Sequence, residues 1–166
     1  ADPRKYALLI LNTILGEGMS SRLFQNLRER QGLAYDVHSY LGMVRDTGLF
    51  AVYLSTEPGK GRKALQAVLQ ELSLLREVSL QEKELEHAKV QLKGRLMLGL
   101  ESMSARMMRM AQQEILLGTL VSLDETKACI DAVTAPEVQE IARELFSRRH
   151  LSLVAIGPIR PDFFQP

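Results

Sequence analysis

Residues 12–53 read NTILGEGMSSRLFQNLRERQGLAYDVHSYLGMVRDTGLFAVY, and the rest of the chain is organised around this stretch. Its pattern predicts the end of one helix, a glycine turn, a second helix over about 20–31, and then two strands. Gly16 and Gly18 suit a helix end that needs positive φ, and Gly32 is expected to end the second helix. The order of these elements predicts a fold that mixes helices with an antiparallel sheet.

The second helix is predicted to begin at Ser20, whose hydroxyl suits an N-cap. Met19 and Phe24 flank this position with the spacing of a hydrophobic staple. Arg28 then falls in the last turn of the helix, and Tyr35 opens the strand that follows. Both side chains are therefore expected near one corner of the fold, which makes that corner the candidate functional site.

Two strands are predicted over 34–44 and 48–56, with a hairpin turn at 45–48. Three apolar residues fall on each face of the second strand, so both faces are expected to be covered: Phe50, Val52 and Leu54 on one face, and Leu49, Ala51 and Tyr53 on the other. The apolar run 151–156 predicts a third strand of the same sheet.

The region 61–146 is predicted to be helical. Three capping boxes predict helix starts within it: Ser79 with Glu82, Ser122 with Glu125, and Thr134 with Glu137. Another helix is expected from about Ser102 to a stop at Gly118, and the pair Asp2-Pro3 suits the start of the first helix. The sequence therefore predicts one α+β domain, an antiparallel sheet with helices packed on it.

The composition excludes several classes of function. The 166 residues carry 21 basic and 20 acidic side chains, and a net charge of +1 gives no electrostatic reason to expect a nucleic-acid partner. Cys129 is the only cysteine, which excludes a disulfide within the chain and a thiolate metal cluster. No apolar run approaches the roughly 20 residues of a membrane span, so no membrane partner is expected. Because the chain begins at Ala1 without a methionine, we expect it to be processed or excised from something longer.

The three histidines, His38, His87 and His150, do not form a metal-binding motif, because no two of them are four residues apart. The nearest approach is the run KELEH over 83–87, where a lysine takes the place of the first ligand. Lysine is cationic at neutral pH and a poor zinc ligand. Since a zinc site generally needs at least three protein ligands, we expect this chain alone to bind no metal.

A series of motifs, in order, resembles the C-terminal, non-zinc half of the M16 metallopeptidases, which include insulinase, pitrilysin and the mitochondrial processing peptidase. The central motif is N-x-x-L-G-x-G-x-S-S-R-L-F-x-x-L-R-E-x-x-G-L-A-Y over 12–35, with Gly-Leu-Ala-Tyr in its bacterial and mitochondrial form. The others extend the resemblance over nearly the whole chain: D-x-G-x-F over 46–50, SLQEKELEHAKVQLKG over 79–94, Glu101-Ser102, and LSLVAIGP over 151–158.

The resemblance implies a LuxS/MPP-like metallohydrolase fold. Related domains usually begin with one or more strands before the first helix, and this chain has none. Residues 1–166 are therefore expected to form a single domain of the C-terminal M16 type that is truncated at its N-terminus and lacks its first strand or strands. A sheet without that strand has an unpaired edge, so the chain is expected to be a homo-oligomer.

The resemblance also implies a function for the parent protein, a zinc-dependent metalloendopeptidase similar to processing proteases. The N-terminal half, which is absent from this chain, would hold the zinc and be the partner, and a peptide would be the substrate. Arg28 and Tyr35 match an arginine and a tyrosine that hold substrate backbone and help to stabilise the oxyanion in related peptidases. This chain alone is then expected to be inactive and without a cofactor. If the source is bacterial, the compartment is either cytoplasmic or periplasmic.

Other interpretations stay open on the sequence alone. The chain could be a non-catalytic peptide-binding or assembly subunit of the same fold. Arg28 could be a solvated cation at a helix end, and Tyr35 a half-buried strand residue. For Arg22 we favour an ion pair that fastens the glycine turn over contact with substrate. We favour core packing for the methionines near one helix junction, although missing upstream strands could leave part of their surface exposed: Met97, Met103, Met107, Met108 and Met110.

Overall fold

The computed structural model describes residues 4–44 and 47–158. Its α-helices are α1 (Lys5–Gly16), α2 (Gly61–Glu77), α3 (Glu82–Gly99), α4 (Met103–Leu117), α5 (Leu123–Asp131) and α6 (Ala135–Leu145). The strands are β1 (Asp36–Met43) and β2 (Gly48–Ser55), and a π-helix spans Phe24–Arg30. Short 3₁₀ turns cover Pro58–Lys60 and Arg148–His150. The predicted α+β class is confirmed.

Helix α1 is the centre of the hydrophobic core. Ile10, Leu11 and Leu15 have no more than a trace of exposed surface, and Ala7 and Ile14 are buried beside them. The helix is apolar on most sides because it is enclosed by α3, α5, α6 and β1. Helix α2 packs on α6 at the side of this core. The other elements are therefore held in place largely through one central helix.

The sheet consists of β1 and β2, paired antiparallel, with Val37 opposite Leu54 and His38 opposite Tyr53. The residues that the structure describes cover only one of its faces. Phe50 lies on the covered face and meets Phe146 of the core edge to face, with 5.3 Å between the ring centroids. On the other face Leu49 is 57% exposed and Tyr53 is 48% exposed. The expectation that both faces are covered was wrong, because the described helices pack on one side only.

The predicted third strand is not formed within the part of the chain that the structure describes. Residues 151–156 have no regular secondary structure and join no sheet, although the backbone of Leu151 is extended. The N–H of Leu151 donates instead to the carbonyl of Arg148, and Val154 and Ile156 are almost fully exposed. An apolar β-prone run becomes a strand only where a neighbouring backbone offers donors and acceptors. The sequence pattern indicates the strand propensity of this run, but it does not show whether another strand lies beside it.

Two of the three predicted capping boxes are confirmed. Ser122 and Glu125 exchange hydrogen bonds at the start of α5, and the Glu137 carboxylate accepts from both the N–H and the hydroxyl of Thr134 at the start of α6. These bonds hold the pKa of Glu125 and that of Glu137 below the usual range of a glutamate. The predicted box at Ser79 was wrong, because α3 begins only at Glu82, and Gln81 is its N-cap.

The remaining helix boundaries follow the predictions where the structure describes them. Ser102 caps α4 by accepting a hydrogen bond from the N–H of Ala105, and Gly118, with φ of +67°, ends the helix. The predicted cap at Asp2-Pro3 lies outside the described residues, as do two residues of the hairpin turn, 45 and 46. Among the described helices, none is long and apolar enough to cross a membrane.

Gly16 owes its place to a close approach rather than to positive φ, which only Gly18, Gly32, Gly118 and Gly157 have among the described residues. A Cβ atom on Gly16 would lie 2.3 Å from the backbone nitrogen of Ser39. The Ser39 hydroxyl donates to the side-chain oxygen of Asn12 over 2.8 Å. The end of α1 is thereby fastened directly onto β1, with no room for a side chain between them.

We expect Gly16→Ala to lower the free energy of unfolding by about 1–3 kcal/mol, since rigid backbone meets the new methyl group. At 150–250 residues, each kcal/mol corresponds to about 2–4 °C in Tm. The control is Gly94→Ala, because nothing lies within 4 Å of a Cβ at this exposed position of α3. The control should raise stability by up to about 1 kcal/mol. Thermal melts showing the same effect for both variants would contradict the close-contact argument.

We expect the isolated chain to self-associate through Leu151–Ile156, because an unpaired apolar segment recruits a strand of another chain. Sedimentation velocity should show a mass that rises with concentration, and Val154→Lys should shift the protein toward monomer. Val90→Lys is the control, since Val90 is an exposed valine on α3. A clean monomer of the unmodified chain at high concentration would contradict this expectation.

Candidate functional site: the Arg28–Tyr35 corner

The predicted second helix begins later than expected, and most of it is a π-helix instead of an α-helix. Helical residues start at Arg22, and residues Phe24–Arg30 form a π-helix. Ser20 is not an N-cap, because its hydroxyl donates to the side chain of Gln91 on α3 over 3.0 Å. Met19 is 74% exposed, so the predicted staple with Phe24 was also wrong. π-Helical turns are rare and frequently occur at functional sites.

The start of this helix is held to α3 by an ion pair. The Arg22 guanidinium donates from Nε and Nη2 to the two carboxylate oxygens of Glu84, both over 2.7 Å. This hydrogen bonding, supported by the charges of Glu84 and Glu71, raises the pKa of Arg22 above its usual value despite partial burial. The ion pair expected for Arg22 is thus confirmed, and its fork of donors is committed to structure.

The middle of the π-helix is anchored to the core and to α2. Leu23 and Leu27 are fully buried. The amide nitrogen of Asn26 donates to the carboxylate of Glu71, a buried residue of α2, over 2.5 Å. These anchors fix the buried side of the helix, so the position of its exposed side is fixed as well.

The segment that follows the π-helix turns sharply and is tied at several points. Gly32 has φ of +58°, a conformation that glycine adopts without steric cost, and it ends the helix as predicted. The N–H of Leu33 donates to the carbonyl of Leu27 over 2.8 Å, and the Thr56 hydroxyl donates to the carbonyl of Leu33 over 2.6 Å. The N–H of Tyr35 donates to Ser55 of β2 over 2.8 Å. The backbone of residues 27–35, here called the corner, is therefore held by hydrogen bonds on both sides of its turn.

The corner presents Arg28 and Tyr35 to solvent. Tyr35 is 83% exposed, and Arg28 is also exposed, with its guanidinium carbon 4.9 Å from the centroid of the Phe24 ring. Within residues 4–44 and 47–158, no hydrogen bond uses the side chain of either residue. A guanidinium offers five N–H donors, and a phenol offers one O–H donor. The arrangement can therefore receive an anion or a carbonyl oxygen from outside the domain.

The histidines do not fit a zinc site. In the described residues no three histidine, cysteine, aspartate or glutamate side chains lie close enough together to hold a metal ion. His38 lies on the exposed sheet face, stacked on Tyr53 at 5.1 Å between ring centroids, with Asp36 3.5 Å away. His150 bonds the carbonyl of Glu144 at the end of α6. These side chains make local contacts and do not converge.

Two surfaces differ from what the sequence indicated. The methionines expected in the core are between 45% and 75% exposed: Met97, Met103, Met107, Met108 and Met110. The aromatic side chains on the open face of the sheet, His38, Tyr40 and Tyr53, were missed as a group. The alternation of side chains along β1 predicts that His38 and Tyr40 share a face. Their proximity to Tyr53 depends on the register between β1 and β2, which the sequence does not show.

Comparison with known proteins identifies the family. Residues 1–92, more than half of the 166, match the family model described as "Peptidase M16 inactive domain". An uncharacterised zinc protease of Streptomyces coelicolor is 42% identical over 96% of this chain and 34% of its own length. The zinc protease YmxG of Bacillus subtilis is 40% identical over 93% of this chain and 38% of its own. The chain thus spans little more than a third of the length of these curated relatives.

The matched domain and the relatives carry different descriptions. The matched domain is described as inactive, whereas these relatives are named zinc proteases. A crystal structure of the peptidase M16 inactive domain from Pseudomonas fluorescens has the same fold, with a TM-score of 0.74. It shares 24% identity and covers 86% of this chain and 34% of its own. The chain therefore belongs to the M16 peptidase family, as its inactive C-terminal domain.

Proposed function

We propose that this domain completes the active site of a zinc metalloendopeptidase, to which it contributes Arg28 and Tyr35 as substrate-binding and oxyanion-stabilising residues. The observation that carries the proposal is the contrast within one helix. Arg22 donates to Glu84, whereas the side chains of Arg28 and Tyr35 are exposed at the corner and have no hydrogen-bond partner in the described residues. The backbone that carries these two donors is held in place, and donors without a hydrogen-bond partner in the described residues are available to a substrate.

The chemistry of peptide hydrolysis suits these two groups. Attack of water on a peptide carbonyl places negative charge on the carbonyl oxygen, and donors fixed before the reaction stabilise that charge without reorganising. A guanidinium can also donate N–H hydrogen bonds to a substrate carbonyl oxygen. When bound in the N-terminal half, zinc would activate the attacking water. Closure of that half over the corner would exclude water and strengthen both contacts.

The extent of the domain is part of the same proposal. We infer that residues 1–166 form one M16 C-terminal domain whose first strand or strands lie outside this chain. The unpaired segment Leu151–Ile156 and the exposed face of the sheet support this inference. The peptide substrate and the N-terminal half would then be the partners of the domain, and the isolated chain would have no peptidase activity.

We expect Tyr35→Phe and Arg28→Lys to lower peptide turnover in the intact protein that contains both halves. Loss of one oxyanion donor typically costs about 10²–10³ in kcat. The lysine variant should also be impaired, because a point charge does not replace a planar fork of donors. Stability should fall by less than about 1.5 kcal/mol in each case, since both side chains are exposed. Turnover and Tm are measured on the same preparations.

The matched controls are Arg30→Lys, an exposed arginine of the same π-helix, and Tyr53→Phe, an exposed tyrosine of the sheet. Both should retain turnover. Normal turnover in both Arg28→Lys and Tyr35→Phe would contradict the proposal and show that these are ordinary surface residues. A parent protein with no peptidase activity of its own would favour a non-catalytic peptide-binding or assembly subunit.

We expect Arg22→Ala to affect stability rather than chemistry. The substitution leaves the Glu84 carboxylate, which is two-thirds buried, without its bidentate partner. The free energy of unfolding should fall by about 1–3 kcal/mol, the cost of leaving a buried polar group unsatisfied. Urea denaturation should show this loss, while Arg28→Ala, which gives up only a cation–π contact, should lose less than about 1 kcal/mol. Equal losses would contradict the division of roles between the two arginines.

A further inference from the structure

A small cavity lies between α1, α3, α4 and α5, away from the corner. It has a volume of about 90 Å³. Apolar side chains from α1, α3 and α5 form part of its wall, namely Leu9, Leu92 and Ile130. Three donor side chains, Lys5, Arg109 and Gln113, line the same space. A cavity of this volume has room for water or for one compact polar group.

The donors of this cavity outnumber the acceptors that they meet. Arg109 donates from Nη2 to the hydroxyl of Thr126 over 2.9 Å, which uses one of its five N–H groups. Gln113 accepts a hydrogen bond from the N–H of Val121, and its own amide N–H groups meet no acceptor in the described residues. The ammonium of Lys5 lies 5.7 Å from the centroid of the Tyr6 ring, with no hydrogen bond in that same part of the chain.

The electrostatics of the cavity are unfavourable as it stands. Burial lowers the pKa of Lys5, and the positive charge of Arg109 lowers it further. Within residues 4–44 and 47–158, no carboxylate forms an ion pair with either cation. Two partly buried like charges without a counterion cost free energy, and a negatively charged group between them would remove that cost.

We propose that this cavity binds a small oxyanion, the carboxylate or phosphate group of a ligand. The Arg109 guanidinium can bind such a group through two parallel bonds, while Lys5 supplies a second charge and Gln113 a neutral donor. The small volume and the apolar wall select a compact anionic group and exclude a large polar ligand. This site goes beyond the proposed role of the corner, since it uses neither Arg28 nor Tyr35.

The test is a titration of the 166-residue chain with inorganic phosphate and, separately, with acetate. Amide chemical shifts are the readout, and chloride keeps the ionic strength constant. The shifts should saturate and cluster at Lys5, Arg109, Gln113 and Thr126. A short peptide with a free C-terminal carboxylate is compared with the same peptide ending in an amide. If only phosphate saturates the shifts, the ligand carries a phosphate group. If only the peptide with a free carboxylate saturates them, or that peptide and acetate each do so, the ligand carries a carboxylate. The site is supported in either case.

The variants Lys5→Met and Arg109→Gln should each weaken phosphate or carboxylate binding about tenfold or more, since each removes a charge-assisted bond. Lys63→Met is the control, an exposed lysine on α2, and should bind as the unmodified chain does. Without added phosphate or carboxylate, Lys5→Met should melt at the same or a higher temperature, because it removes a repelled cation. The proposal is overturned if no anion produces saturating changes in the amide shifts. It is also overturned if those changes persist unaltered in Lys5→Met, or if they are lost equally in Lys63→Met.

Discussion

The close contact between the end of α1 and the strand β1 is the constraint on which the rest of this structure depends. Gly16 leaves no space for a side chain beside Ser39, and the Ser39 hydroxyl is bonded to Asn12 one turn earlier in the helix. This contact sets the position of the central helix against the sheet. Because α3, α5 and α6 pack on that helix, their positions follow from the same contact. A rigid core is the condition for presenting side chains accurately on the surface.

The corner shows how that rigidity reaches the candidate site. Leu23 and Leu27 are fully buried, and Arg22 and Asn26 are bonded to carboxylates of α3 and α2. One side of the π-helix is thus fully occupied in holding the domain together. The opposite side carries Arg28, whose guanidinium, among the described residues, contacts the ring of Phe24. One short helix is thus divided into a side that is bonded within the domain and a side that faces solvent, and the proposed role of Arg28 depends on this division.

The exposed apolar surfaces fit a domain that belongs to a larger assembly. The open face of the sheet, the run Leu151–Ile156 and the methionines of α4 all leave apolar side chains in water. Helix α4 has no buried residue among those whose burial is described. Surfaces of this kind usually mark sites of association. The relatives are nearly three times as long as the stretch that this chain matches in them, which agrees with such an interpretation.

Local chemistry was readable from the sequence. The helix ends at Gly32 and Gly118, the capping boxes at Ser122 and Thr134, and the hairpin pair β1 and β2 were predicted correctly because each depends on residues close together in the chain. The motif over 12–35 likewise contained enough residues in order to indicate the family. Arg28 and Tyr35 are both exposed, and their shared role at the corner stays a prediction.

Only the tertiary structure decided the features that depend on neighbours distant in sequence. Ser20 resembles an N-cap, but its hydroxyl bonds Gln91, which lies 71 residues further on. The run 151–156 has the composition of a strand, but no described backbone pairs with it. Gly16 looked like a positive-φ glycine, but the approach of Ser39 is what requires it. Lys5 and Arg109, far apart in the sequence, meet at one cavity. Propensity and spacing describe what a segment can do alone, and packing decides which of its groups find partners.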